Sequence, residues 1–174
     1  VIVIGFPLYG KVSENAVHLV PHSLERAIGD QVVESFNSEF APCDDKKAIE
    51  KIDRIVARLV KASDKKDLKI NVHIINDPMV NAFALPGQHM VLMTGFLRNA
   101  DSEEEIAGVL AHELGHVVNR DAMRMTLQSQ GYNIMLSLIT GGGSSYSGMA
   151  QVATLANILS YSREKETAAD AFAA

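Results

Sequence analysis

The 174-residue chain has one cysteine, Cys43, which excludes an internal disulfide and a multi-thiolate metal cage. Any bound metal must therefore be held by histidine and carboxylate. An excess of positive charge is also missing. Sixteen Lys+Arg stand against 21 Asp+Glu for a net charge of −5, and no nucleic-acid partner is expected of such a balance. Nor does the chain have the composition of a disordered or fibrous protein, since 47% of its residues are hydrophobic and 21% charged; it should fold around its own core. It has no internal repeat. No unbroken apolar run is long enough to span a bilayer: VIVIGFPLYG at 1–10 is too short, and the uncharged stretch from Met125 to Ser162 is interrupted by GGGSSYSG at 141–148. That stretch reads as two apolar helical arms around a loop, with lid, core and membrane-touching hairpin as its alternative roles. The length suits one domain, or one domain with an arm.

The periodicities present divide the chain into helix, sheet and helix. Ser23 precedes LERAIGDQVVESF, which reads as a helix, and Asp44 or Asp45 caps a second, KKAIEKIDRIVARLVKA. In the latter, Ile49, Ile52, Val56 and Leu59 recur at helical steps while Lys51, Asp53, Arg54 and Arg58 take other faces. Beyond the polar turn SDKKD, Leu68, Ile70, Val72 and Ile74 alternate with Lys69, Asn71 and His73, the period of a half-buried strand. NAFAL and HMVLM are further extended segments, and Pro86-Gly87 between them predicts a tight reversal. A small antiparallel meander is the expectation. His73 and His89 read there as half-exposed strand side chains. Ser102 followed by Glu105 fits a capping box, which opens the strongest helix of the chain, IAGVLAHELGHVVNR.

That helix carries His112-Glu113-Leu114-Gly115-His116, the pattern HExxH. Four residues advance a helix by about 6 Å and overshoot a full turn by only about 40°, so both imidazoles leave one face and can share a metal ion. Zinc suits such a pair. Glu113, rotated by about 100° from His112, is poorly placed as a ligand but can reach a water on the metal as its base. Random placement of this chain's histidines and glutamates would produce the pattern in about one case in a hundred, leaving two ordinary helix histidines as the alternative. An open zinc site needs a third protein ligand, and His₂Glu is an established set. Glu166 is the candidate, on a later helix. Asp170, one turn further along, can accept a hydrogen bond from the non-ligating nitrogen of a zinc histidine.

Three blocks, NAFALPGQHMVLMTGFL at 81–97, HELGH at 112–116 and SREKETAAD at 162–170, resemble the motifs of family 48 of the zinc metallopeptidases, the HtpX/BepA-like gluzincins, in their usual order. The resemblance implies an α+β, mostly helical zincin-like domain with a small antiparallel sheet whose edge strand lines the active-site cleft. It also implies one Zn²⁺ on His112, His116 and Glu166, with Glu113 as catalytic base and Asp170 behind a ligand. Asn81, Ala82, Phe83 and Ala84 would lie along an extended polypeptide substrate. PHSLERAIGDQ at 21–31 is similar to the helix that opens such domains. Residues 1–20 are thus expected to be an N-terminal arm following a removed signal or membrane anchor, and 21–174 a catalytic domain continuing past the C-terminus. Tyr161 and Arg163 are candidates for stabilising the oxyanion.

The expected activity is hydrolysis of peptide bonds in unfolded or damaged envelope proteins. The resemblance places it in the bacterial periplasm or membrane-associated cell envelope. The alternatives are a latent or non-catalytic zinc-binding, chaperone-like module, favoured if the 141–148 loop covers the cleft, and a membrane-surface interaction module built on the uncharged 125–162 segment.

Overall fold

The structure, a computed structural model, describes residues 14–128 and 163–174. The expectations for residues 1–13, for most of the uncharged 125–162 segment and for Tyr161 fall outside the described residues. After a 3₁₀ turn at Glu14–Leu19, helices α1 (His22–Glu39) and α2 (Lys46–Ala62) precede strands β1 (Asn71–Ile75), β2 (Ala82–Leu85) and β3 (His89–Met93). Helix α3 (Thr94–Asn99) and helix α4 (Glu103–Asn119) follow. The chain is again helical over 121–128, here α5, and α6 (Arg163–Ala173) closes it.

Local chemistry sets the helix boundaries. Asp45, rather than Asp44, caps α2, its carboxylate accepting from the backbone N–H groups of Lys47 (2.9 Å) and Ala48 (3.2 Å). Ser102 caps α4 by accepting from Glu105 N–H at 3.1 Å, while the Glu105 carboxylate reaches back to Asp101 N–H at 2.7 Å. The box closes one residue earlier than its usual form. Helix α1 begins at His22, after Pro21, so Ser23 lies inside the helix and is not its cap.

The architecture is α+β and mostly helical, with a small sheet, as the sequence implies. The sheet has the order β1-β3-β2 and is mixed, a correction to the all-antiparallel meander. β2 pairs antiparallel with β3 through the 86–88 reversal, but β1 pairs parallel with β3, Asn71 opposite His89 and Ile75 opposite Met93. β3 has been inserted between its two predecessors. Alternation along a strand states which face each side chain takes and carries no information about the neighbouring strand, so the parallel pair had no signal.

The two faces bury different partners. Ile75, Phe83, Leu85, Val91 and Met93 pack with Val32, Val33 and Phe36 of α1. Ile74, Ala84, Met90 and Leu92 pack with Ile52, Ile55 and Val56 of α2 and Ile106, Leu110, Leu114 and Val117 of α4. The sheet is therefore the middle of three layers, which explains why β3 is buried at every position. α1 comes very close to the hairpin turn: a Cβ on Gly29 would stand 2.0 Å from the Pro86 carbonyl oxygen, so only glycine fits there. The outer side of β1 is partly covered, since Cys43 N–H donates to Ile74 O and Asn76 N–H to Ala41 O, both at 2.8 Å. β2 forms the opposite edge, against α4.

Candidate metal centre

α4 brings His112 and His116 one turn apart on a single face, and α6 crosses that face with Glu166. The two Nε2 atoms are 3.1 Å apart. Glu166 Oε2 lies 3.2 Å from His112 Nε2, and its Oε1 lies 3.7 Å from His116 Nε2. These three side chains are the one group among the described residues that could hold a metal ion, their ligand atoms all lying within 4.8 Å of one another.

The other nitrogen of each imidazole is occupied. His112 Nδ1 is 2.8 Å from Asp170 Oδ1, and His116 Nδ1 is 3.0 Å from Asp121 Oδ2. A carboxylate only accepts, so each Nδ1 donates, and in the neutral ring each Nε2 then presents a lone pair. With both rings neutral, two lone pairs and a carboxylate converge, an arrangement that a metal cation would stabilise. Tetrahedral zinc with Zn–N distances of about 2.0–2.1 Å would set its ligand nitrogens about 3.3 Å apart, close to the separation found. The donor set fits zinc.

Close approach of the two helices depends on the glycine inside the motif. A Cβ on Gly115 would lie 2.9 Å from Ala169 Cα and 3.1 Å from Ala169 O, and Ala169 is fully buried between Glu166 and Asp170. A mid-helix glycine costs about 1 kcal/mol relative to alanine. Here it permits the crossing that brings the Glu166 carboxylate to the two imidazoles.

Glu113, next to His112 in α4, is buried. Burial pushes its carboxyl up to about 8, a backbone hydrogen bond from Ala84 opposes the rise, and the charge of Glu166 adds to it. Its Oε2 is buried without a hydrogen-bond partner.

The Ala84 contact is a consequence of strand register. Met93 N–H donates to Asn81 O at 3.0 Å, which makes Asn81 and Met93 a hydrogen-bonded pair. By alternation Phe83 with Val91 and Leu85 with His89 are bonded pairs, while Ala82 and Ala84 turn their main-chain groups to the outer edge of β2. Of the four residues expected beside a substrate, Asn81 and Phe83 thus direct their main chain at β3. The Phe83 ring lies tilted against Phe36 on the α1 side, with ring centroids 5.7 Å apart.

The strand histidines do not join the metal cluster. On the α1 side of the sheet, His73 Nε2 is 2.9 Å from His89 Nδ1, and His89 Nε2 is 3.1 Å from Asp30 Oδ1. His89 is buried rather than half exposed. Burial lowers both pKa values; the neighbouring His89 adds to the lowering at His73, and Asp30 opposes it at both. Sequence reasoning also passed over Asp121 and Gly115. The one available signal was a buried-side acid five residues after His116, where a new helix begins.

Comparison with known proteins places these elements in a wider group. The sequence profile of peptidase family M48 matches residues 46–174. The mitochondrial metalloendopeptidase OMA1 of Schizosaccharomyces pombe is 31% identical over 121 residues, covering 68% of this chain and 36% of that protein. Beta-barrel assembly-enhancing proteases of Yersinia pestis and Escherichia coli K12 are 29% and 28% identical over 157 and 158 residues, each covering 84% of this chain and 32% of theirs. The chain spans about a third of the length of these relatives.

Proposed function

This chain belongs to peptidase family M48, and on that premise we propose that it is a zinc-dependent endopeptidase with His112, His116 and Glu166 as ligands and Glu113 as general base. The observation that carries the reading is the convergence of two Nε2 atoms and the Glu166 carboxylate, beside a buried acid at the sheet edge. A zinc ion held there would polarise the scissile carbonyl and lower the pKa of bound water to about 7. Glu113 takes a proton from the attacking water and delivers it to the departing amine, so no covalent acyl intermediate is required. Asp170 and Asp121 keep both ligating rings in the Nδ1–H tautomer.

The substrate is an extended polypeptide that adds to the outer side of β2. The Ala82 main-chain groups are directed there and offer it a ladder partner, while Ala84 ties the same edge to Glu113. Asn81 and Phe83 hold this edge in register with β3. Such a mode selects unfolded or flexible segments, because a folded strand has no free main chain to present. The names of the bacterial and mitochondrial relatives support a setting in the cell envelope or at a membrane. No helix among the described residues is long and apolar enough to cross a membrane.

The test is Glu113→Gln. It should retain zinc and cleave an unfolded protein about 10²- to 10⁴-fold more slowly; cleavage at the wild-type rate with zinc bound would refute the assignment.

A further inference from the structure

The C-terminus of α4 is closed by a residue that the active-site chemistry does not require. Arg120 adopts φ 56° and ψ 34°, and its backbone N–H caps the helix on the carbonyls of His116 and Val117. An arginine in the left-handed region is uncommon and needs the surroundings to hold it. They do so through α1. Arg120 Nε donates to Glu25 Oε2 at 2.6 Å, a terminal nitrogen of the same guanidinium pairs with that oxygen, and it also donates to Val20 O at 2.9 Å. Glu25 is 5% exposed, so the pair is largely removed from solvent screening.

The next residue is Asp121, 2% exposed, whose carboxylate meets fully buried His116. Arg120 is therefore the corner at which the chain leaves the metal helix and turns Asp121 back onto a ligand. We propose that Glu25 and Arg120 form a latch by which α1 sets this corner, and that Asp121 is the positioning residue for His116. Metal affinity is then controlled from an N-terminal helix that contributes no ligand. The inference rests on the zinc reading above. It adds that a chain of contacts, Glu25 to Arg120 to Asp121 to His116, makes docking of α1 and loading of the metal one coupled event.

The experiment measures zinc affinity of the full chain by competition with a chromophoric chelator, together with the visible spectrum of the Co²⁺-substituted protein. Asp121→Asn should weaken zinc binding by about 10- to 100-fold and shift the Co²⁺ bands. Arg120→Gly, which suits the left-handed backbone but removes the guanidinium, and Glu25→Gln should each weaken zinc in the same direction. Their combination should cost no more than the larger single effect, since both break one latch. Circular dichroism confirms that each variant is folded. Should Asp121→Asn fail to fold, Glu25→Gln carries the test, because it alters only α1. Wild-type zinc affinity and an unchanged Co²⁺ spectrum in folded Asp121→Asn or Glu25→Gln would overturn the proposal, while loss of zinc in His112→Ala under the same conditions would leave the metal centre itself standing. A wild-type chain that binds no zinc would overturn both.

Discussion

Gly115→Ala tests the helix crossing with a single methyl group. The added Cβ would lie 2.9 Å from Ala169 Cα, 3.1 Å from its carbonyl oxygen and 3.2 Å from its Cβ. Carbon atoms in ordinary contact are about 3.5–4.0 Å apart, so α4 and α6 must separate by roughly 0.6–1.1 Å. Two of the opposing atoms are backbone and cannot rotate away. Metal–ligand distances tolerate only about ±0.2 Å, so the separation withdraws Glu166 from the two imidazoles. Overpacking of this kind costs about 1–3 kcal/mol, and if the strain is released at the site, zinc affinity falls roughly 5- to 150-fold. The metal-free protein behaves differently, because α6 can ease away and α4 gains about 0.8–1.0 kcal/mol of helix propensity. The expected signature is an unchanged or raised melting temperature without metal and a lowered one with it. Gly108→Ala in the same helix is the control: nothing lies within 4 Å of its added Cβ, so it should stabilise both forms and leave zinc binding alone. Chelator competition and calorimetry on both variants decide the matter. Zinc affinity of Gly115→Ala within twofold of wild type would refute the argument that this glycine places the third ligand.

Three further outcomes follow from named contacts. Glu166→Ala should lose zinc on brief dialysis against a chelator that wild type resists, as read by atomic absorption; full retention would remove Glu166 from the ligand set. Asp45→Ala deletes the cap of α2 and should cost about 0.5–2 kcal/mol in urea unfolding with no change in zinc affinity. His73 and His89 have lowered pKa values in the folded state, so the unfolded chain binds more protons between the folded values and about 6.5. Their contribution is complete above about pH 6.5 and is lost as the pH falls through the folded values. Melting temperature should therefore drop on acidification below about pH 6.5 more steeply in wild type than in His73→Phe; equal slopes would show that this pair does not titrate with unfolding.

The candidate site was more legible than the sheet. HExxH is readable because four residues return a helix to the same face, and Glu166 with Asp170 repeats that spacing on a second helix, so both histidine partners on that side were found. Asp121 was not, because its approach to His116 depends on a left-handed corner at Arg120, and a non-glycine residue in that conformation leaves no mark in the sequence. What holds the corner is Glu25, 95 residues earlier, a pairing that local pattern cannot express. Strand faces were read correctly from Val72 and Ile74, while the parallel partner of β1 was missed because period two is the same for either direction of pairing. Gly29 and Gly115 each lie inside a helix. Both are places where a neighbouring backbone comes too near for a side chain.

Glu166 follows His116 by fifty residues, so a metal held by both would be a cross-link as well as a cofactor. Closing a loop of that size in a covalent fashion removes about 4 kcal/mol of chain entropy from the unfolded state. The same logarithm works in favour of variation, because doubling the loop adds only about 0.6 kcal/mol. The intervening stretch can therefore lengthen or shorten by many residues, acquiring new contacts for regulation or substrate choice, at little thermodynamic penalty to the ligand triangle that its two ends support.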